Sequence, residues 1–167
     1  DVTEEMRQQR QLEHLVRYDA LTDLPNRVLL ADRLHQGIAQ ARRRGTRLGL
    51  GYLDLDGFKA INDRHGHDAG DRFLAALAHR MRGILREGDT LARMGGDEFV
   101  AVLMDLEDNE ASLPLVRRLL ASAASPVTVE DAELRVSASL GIRFYPMPGE
   151  GDVDPDQLLR QADQAMY

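Results

Sequence analysis

The most constraining feature of the sequence is an uninterrupted apolar run at residues 99–104, which follows two glycines and two acids. A strand that is apolar at every position is typical of the centre of a sheet buried on both faces. Residues 90–94 predict its partner strand, with Gly95 and Gly96 as the hairpin turn between them. Asp97 and Glu98 then lead into a buried strand, which costs desolvation energy unless a cation offsets it.

The order of the remaining elements follows from the spacing of apolar residues. Helices are predicted at residues 26–44, 71–85 and 109–124, and from residue 155 to the end of the chain. Further strands are predicted at residues 47–55, 127–129 and 134–145. Helices alternate with strands and hairpins, so we expect an α/β fold with a mixed, mostly antiparallel central sheet flanked by helices.

Residues 1–18 predict a polar helix whose apolar stripe is too thin for a core helix. It suits a connecting or coiled-coil-like helix, and a solvated tail fits the same residues. The domain is then expected at residues 19–167. Because the chain begins at Asp1 and ends within a helical pattern at Tyr167, we expect it to be a piece of a longer protein.

Composition excludes several classes of function. The net charge of −7 argues against a nucleic-acid partner, because the polyanion would be repelled. The chain has no cysteine, so disulfides and cysteine-based zinc sites are excluded. No apolar run approaches the roughly 20 residues of a membrane span, so we expect no direct membrane contact by this piece.

A pair of carboxylates, Asp54 and Asp56, ends the strand at residues 47–55. Their spacing puts both side chains on one face of an extended chain. Alone, the pair fits solvated strand-end aspartates as well as ligands of a hard cation such as Mg²⁺ or Mn²⁺. If this strand lies beside the hairpin, Asp54 converges with Asp97 and Glu98, and like charges that close are tolerated mainly around a metal ion.

The segment after Asp56 contains groups suited to a purine nucleotide. Lys59 offers a point charge for phosphate. Asn62 provides a donor and an acceptor, and Asp71 an acceptor, which together match the edge of guanine. Asp71 could equally be the N-cap of the next helix. His65 and His67 could bind a metal, although hydrogen-bonded turn histidines explain them as well.

Five segments in this order resemble the GGDEF domain of diguanylate cyclases. They are DALTDLPNR (19–27), YLDLDGFKAINDRHGHDAGD (52–71), RMGGDEF (93–99), SLGI (139–142) and LLRQADQAMY (158–167). The resemblance covers residues 19–167 and implies a palm-like sheet similar to that of adenylyl cyclase catalytic domains. It also implies a Mg²⁺-dependent enzyme that joins two GTP molecules into cyclic di-GMP and works as a homodimer.

The resemblance implies roles for individual residues. The expected metal ligands are the side chains of Asp54, Asp97 and Glu98 and the carbonyl of Leu55, and Asp97 and Glu98 are also the expected catalytic residues. The expected substrate-binding residues are Phe58, Lys59, Asn62, His67, Asp71, Gly95 and Gly96. In this family a lysine beyond the final motif contacts the phosphates, and we expect this piece to lack it because it ends at Tyr167.

Arg86 and Asp89 form an Arg-x-x-Asp pattern that chance often produces. Arg86 could simply favour the negative end of its helix while Asp89 sits in a turn. The family's inhibitory product site, however, is an Arg-x-x-Asp at this offset from the glycines. The resemblance therefore implies that Arg86 and Asp89 bind cyclic di-GMP, and a guanidinium suits phosphate.

Three functions remain open at this point. The chain could be a cyclase, a GTP- or cyclic di-GMP-binding module that controls an attached output domain, or a structural dimerisation piece. The segment from Ser139 to Pro146 resembles domains fused to a phosphodiesterase (EAL) domain, and the helix at residues 1–18 suggests a sensor before it. The expected location is the cytoplasm, with a parent protein that could be anchored in the membrane.

Overall fold

The computed structural model describes residues 1–165, and an antiparallel sheet forms its centre. The strands are β1 (Arg47–Asp56), β2 (Thr90–Gly95), β3 (Glu98–Leu106), β4 (Val127–Val129), β5 (Ala132–Leu134) and β6 (Ser137–Tyr145). Four of them form one sheet in the order β2-β3-β1-β6, and β4 pairs with β5 separately. Each of these strand pairs is antiparallel, so the expected α/β fold is confirmed, and the sheet expected to be mixed and mostly antiparallel is antiparallel at every described pair.

Helices cover both faces of this sheet. They are α1 (Val2–Arg17), α2 (Arg27–Arg44), α3 (Phe58–His65), α4 (His67–Ile84), α5 (Leu113–Ala124) and α6 (Pro155–Gln164), and a short 3-10 helix (Glu110–Ser112) precedes α5. Asn26 caps α2 by accepting hydrogen bonds from Val28 N and Leu29 N, and Gly45 ends it in the left-handed conformation (φ 69°).

Successive side chains of β1 pack alternately into two separate apolar cores, one on each face of the sheet. Leu53 and Leu55 pack with the apolar faces of α4 and α5. Leu50 and Tyr52 point to the other face, where they pack with α2 and α6. Because successive side chains of a strand alternate between faces, Asp54 lies on the same face as Tyr52. The acids at the end of β1 therefore lie on the α2 and α6 side of the sheet.

Several element boundaries differ from the sequence-based prediction. The helix expected at 71–85 begins at His67, and a further helix, α3, precedes it. The strand expected at 134–145 is two strands, of which β5 pairs with β4 and β6 joins the central sheet. Gly95 is the last residue of β2, so the turn itself is Gly96–Asp97. Of the helix expected at 155–167, residues 166 and 167 lie outside the described part of the chain.

α1 stands apart from both cores, since none of its residues is buried. Its C-terminal end is nevertheless fixed to the domain. Asn26 Nδ2 donates to Val16 O (2.7 Å), and Arg17 is paired with Asp32 (3.0 Å). Tyr18 forms an isolated antiparallel bridge with Pro25. The direction of α1 is thus set by contacts with the start of α2.

Candidate active site

Carboxylates from two neighbouring strands meet at one end of the central sheet. Asp54 of β1 lies directly opposite Glu98 of β3, and directly opposite pairs share a face of the sheet. The backbone N–H of Leu55 donates to Asp97 O (3.1 Å). The antiparallel pairing of β1 with β3 therefore brings together the two segments that sequence spacing only suggested as neighbours.

The pKa of Asp54 reflects its burial and its position among other negatively charged carboxylates. Burial raises the pKa of Asp54 to about 6, with further increases from the charge of Asp97, a hydrogen bond with its carboxyl, and the charges of Glu98 and Asp56. A carboxyl surrounded by other carboxyls is stabilised when it is protonated or when a cation is nearby. We define Asp54, Asp97 and Glu98 as the acid cluster.

The donor set of the acid cluster fits a hard divalent cation. It offers carboxylate oxygens, and the Leu55 carbonyl points to the same side as the Leu55 N–H, toward the hairpin. Within residues 1–165, no three His, Asp or Glu side chains form a ready-made ligand group. Mg²⁺ sites commonly use one or two carboxylates and complete their coordination with substrate phosphates. A site of this kind matches the arrangement.

Tyr52 provides the acid cluster with a hydrogen-bond donor. Its ring is buried and its hydroxyl donates to Glu98 Oε2 (3.3 Å). Burial, reinforced by the negative charge of Glu98, raises the pKa of Tyr52 to about 12. The hydroxyl therefore stays protonated at neutral pH and remains a donor.

Arg93 stabilises the turn that carries Asp97 through hydrogen bonds to the backbone of Gly96. Gly96 adopts φ 50°, a conformation that side chains disfavour. Arg93 Nε and Nη2 donate to Gly96 O (3.1 and 2.9 Å), while Nη1 donates to both oxygens of Asp19 (3.1 Å). Burial alone would raise the pKa of Asp19, but the hydrogen bonds from Thr22 and Arg93 together outweigh it, so the pKa is lowered. The ion pair between Arg93 and Asp19 thus links the hairpin to the loop that follows α1.

Phe58 and Lys59 begin α3, directly after the acids of β1. The Phe58 side chain is buried and stacks on Phe73, with ring centroids 6.3 Å apart. Only its backbone N–H, at the first helical position, is therefore suited to phosphate. Lys59 is exposed one residue further on, and its ammonium is accessible to a ligand.

Asn62 and Asp71 come together where α3 meets α4. A Cβ added to Gly70 would lie 1.7 Å from Asn62 Oδ1, so only glycine leaves room for this side chain. Asn62 Oδ1 is buried and, among the described residues, has no hydrogen-bond partner. Asp71 is exposed beside Gly70, four residues after the first residue of α4, so it is not the helix N-cap. His67 is that first residue and is exposed.

Arg86 and Asp89 form an ion pair with each other. Arg86 Nε and Nη2 donate to the two Asp89 oxygens (3.0 and 3.1 Å), and Asp89 also accepts from the backbone N–H of Arg86 and of Met104. The Asp89 side chain is 1% exposed, whereas that of Arg86 is 47% exposed. The hydrogen bond to Asp89 raises the pKa of Arg86. Both residues line a cavity of about 270 Å³ with Arg33 and Arg82.

Three residues of this site escaped the sequence-based reasoning: Tyr52, Gly70 and Arg93. Each occurs inside a motif that was recognised, yet received no role. The signal for Tyr52 was its position two residues before Asp54, which places both on one face. Arg93 and Gly70 gave no comparable signal, because their partners, Asp19 and Asn62, are set by tertiary structure.

The fold and the acid cluster define a class of protein, and comparison with known families agrees. Residues 16–167 match the family model described as "Diguanylate cyclase, GGDEF domain". The chain therefore belongs to the GGDEF domain family. This confirms the resemblance drawn from the five sequence motifs.

Three relatives illustrate the degree of similarity. The chain is 45% identical over 161 residues to the bifunctional diguanylate cyclase/cyclic di-GMP phosphodiesterase MucR of Pseudomonas aeruginosa, covering 96% of this chain and 23% of MucR. The solved GGDEF domain of TpbB from the same species is 40% identical, with a TM-score of 0.82, covering 90% of this chain and 86% of that one. The GGDEF domain of DgcB from Caulobacter crescentus, solved with c-di-GMP, is 27% identical with a TM-score of 0.79, covering 91% and 86%.

The chain spans only part of the curated relatives that it matches. It covers about a quarter of MucR and about a third of the full-length diguanylate cyclase TpbB, to which it is 40% identical. No helix within residues 1–165 combines the length and apolarity needed to span a membrane.

Proposed function

We propose that this domain is a diguanylate cyclase that condenses two GTP molecules into cyclic di-GMP and releases two pyrophosphates. The observation that supports it is the acid cluster itself: Asp54 stands opposite Glu98 with Asp97 beside them, and burial together with these neighbouring charges raises the pKa of Asp54 to about 6. Phosphoryl transfer needs such a place, because charge accumulates on the reacting phosphate.

In each of the two bond-forming steps, the 3′-hydroxyl of one GTP attacks the α-phosphorus of the other, and pyrophosphate leaves. The side chains of Asp54, Asp97 and Glu98 and the Leu55 carbonyl would hold Mg²⁺ or Mn²⁺. When bound, the metal lowers the pKa of the attacking hydroxyl and offsets negative charge on the phosphate. Asp97 or Glu98 would accept the hydroxyl proton.

The remaining residues of the site orient the nucleotide. Asn62 and Asp71 would bind guanine; the supporting observation is that the Asn62 amide packs against Gly70, directly beside the exposed Asp71. Lys59, the N-terminus of α3 and the glycines Gly95 and Gly96 would contact the phosphates, and the exposed His67 would contact the nucleotide. One domain holds one GTP, so two copies must face each other, and turnover depends on how often they meet.

Arg86 is the proposed contact for inhibitory cyclic di-GMP. Its guanidinium is half exposed beside Arg33 and Arg82 in the 270 Å³ cavity, where several cations favour a bis-phosphate. Asp89 contributes chiefly by holding Arg86, since its own carboxylate is enclosed. A shared role in product binding is therefore consistent with a structural ion pair between the two residues.

The test is to incubate the protein that carries this domain with GTP and Mg²⁺ and to separate the products by chromatography. We expect cyclic di-GMP and pyrophosphate from the wild-type protein and at least about 100-fold less from Asp97→Ala or Glu98→Ala, because each removes a charge-stabilising group. Glu107→Ala, just beyond the opposite end of β3, is the matched control and should keep full turnover. No product from a protein that binds GTP and dimerises would refute the proposal.

A second function is favoured by the bifunctional name of MucR. In that case the domain binds GTP or cyclic di-GMP and controls an attached phosphodiesterase (EAL) domain. The same incubation separates the two: GTP that changes the hydrolysis of cyclic di-GMP without being consumed indicates regulation. GTP consumption indicates a cyclase.

A further inference from the structure

The side chain of Tyr52 on β1 reaches diagonally to Glu98 on the neighbouring strand β3. Tyr52 is opposite Val100 in the register of β1 and β3, two positions from the Asp54–Glu98 pair, and its ring is 7% exposed. Aromatic side chains can span this diagonal distance on one sheet face. The ring is thus fixed by the apolar core, and the hydroxyl is delivered to Glu98 Oε2 at 3.3 Å.

A neutral donor has a specific advantage in this place. A free glutamate side chain populates several rotamers, and Glu98 faces the like charge of Asp54, which pushes it away. A lysine or arginine would hold Glu98 but cancel the charge that attracts a metal. A tyrosine hydroxyl holds one carboxylate oxygen, keeps the negative charge, and leaves the second oxygen free. The other charged groups that act on Tyr52 are Arg27 of α2 and Asp163 of α6.

We propose that the Tyr52 hydroxyl is a positioning residue that orients the Glu98 carboxylate for divalent cation binding. This inference rests on the proposed function, because it takes the acid cluster as the metal site. Hydrogen-bonding partners of metal ligands typically change metal affinity or activity by about 10- to 100-fold when they are removed. Tyr52 should act at the low end of this range, since its bond to Glu98 is long.

The chain offers a matched control in Tyr145. It is also fully buried, packs in the same apolar cluster on the same sheet face, and donates its hydroxyl to Gly151 O (2.8 Å). Tyr52→Phe and Tyr145→Phe each delete one oxygen from a buried ring. Only the first deletes a donor to the acid cluster, so general effects of the lost hydroxyl appear in both variants.

The experiment measures Mn²⁺ binding by electron paramagnetic resonance with a non-hydrolysable GTP analogue, in the absence of turnover. We expect Tyr52→Phe to raise the Mn²⁺ dissociation constant about tenfold, and Tyr145→Phe to leave it unchanged. In turnover assays, Tyr52→Phe should lower kcat at limiting metal while KM for GTP stays constant. Unchanged Mn²⁺ affinity in Tyr52→Phe, or an equal loss in Tyr145→Phe, would overturn the proposal.

A double-mutant cycle distinguishes positioning from packing. If Tyr52 acts through Glu98, adding Tyr52→Phe to Glu98→Gln causes no further loss of Mn²⁺ affinity. If the two residues act independently, their losses of Mn²⁺ binding free energy add. Wild-type-like Mn²⁺ affinity in Glu98→Gln would instead refute the metal site of the proposed function. Additive losses from the two changes would refute only the role of Tyr52.

Discussion

The acid cluster and the Arg86–Asp89 pair show two opposite ways of placing carboxylates in one small domain. Asp89 is enclosed, and its two oxygens are occupied by a guanidinium and two backbone N–H groups. Asp54 has other carboxylates as neighbours, and its pKa is raised to about 6 by burial and by those charges. A satisfied acid stabilises the fold by itself. An unsatisfied acid weakens the fold until a cation binds, which is the usual signature of a functional site.

The largest expected effect comes from neutralising Asp54. Asp54→Asn keeps the shape of the side chain and removes its charge, so turnover should fall by at least about 100-fold. The same change relieves repulsion within the acid cluster, so the metal-free protein should become more resistant to urea at neutral pH. Activity and stability thus move in opposite directions. A variant that loses both would place Asp54 with the structural acids, and Glu107→Ala controls for charge removal elsewhere.

The pH dependence of this stability difference has a definite sign. In the unfolded chain Asp54 has a pKa of about 4, and in the fold about 6, so the folded state binds the proton more tightly. The stabilisation from protonating Asp54 is fully present below about pH 4 and is lost as pH rises through about 6. Without divalent cations, the advantage of Asp54→Asn over wild type should grow between pH 5 and pH 7.5. Parallel urea transitions across this range would contradict it.

A smaller effect is expected at the satisfied pair. Asp89→Ala leaves the N–H of Met104 without its acceptor and should lower the free energy of unfolding by about 2 kcal/mol. Arg86→Ala removes a half-exposed partner and should cost about 1 kcal/mol while relieving inhibition by added cyclic di-GMP. Urea unfolding and turnover with added product measure the two effects. The control is Arg118→Ala, which changes an exposed residue of α5.

If Asp89→Ala proved no more destabilising than Arg118→Ala, the enclosed ion pair would not be structural. Unchanged product inhibition in Arg86→Ala would return Arg86 to a role at the end of its helix. Either result would remove the contrast between the two carboxylate sites.

The sequence predicted best where the pattern was local. The apolar run at 99–104 is a central strand, and the spacing of Asp54 and Asp56 places both on one face because alternation is a property of any strand. Convergence of Asp54 with Glu98 was conditional on strand neighbours and is now established by the register of β1 and β3. The individual roles of these residues remain predictions.

The sequence pattern did not predict elements and contacts that depend on residues distant in the chain. No helix was predicted between residues 57 and 70, where glycines and polar residues are frequent, yet α3 forms there because Phe58 and Ile61 bury its single apolar face in the core. The strand expected at 134–145 divides because residues 132–134 pair with β4 and not with β1. The enclosure of Asp89 likewise depends on Met104, fifteen residues away along the chain.

The smallest effect is expected when a positively charged side chain is introduced beside the acid cluster to neutralise part of its charge. Ser139 of β6 lies directly opposite Asp54 on the same face and is exposed, so Ser139→Lys places an ammonium near the acids. The metal-free unfolding free energy should rise by about 0.5 kcal/mol, and Mg²⁺ affinity should fall, because the lysine competes for the same charge. Ser139→Gln is the control, since it also loses the hydrogen bond to Asp56. In about 1 M salt the difference between the variants should disappear through screening, and a difference that persists there would mean that charge is not its cause.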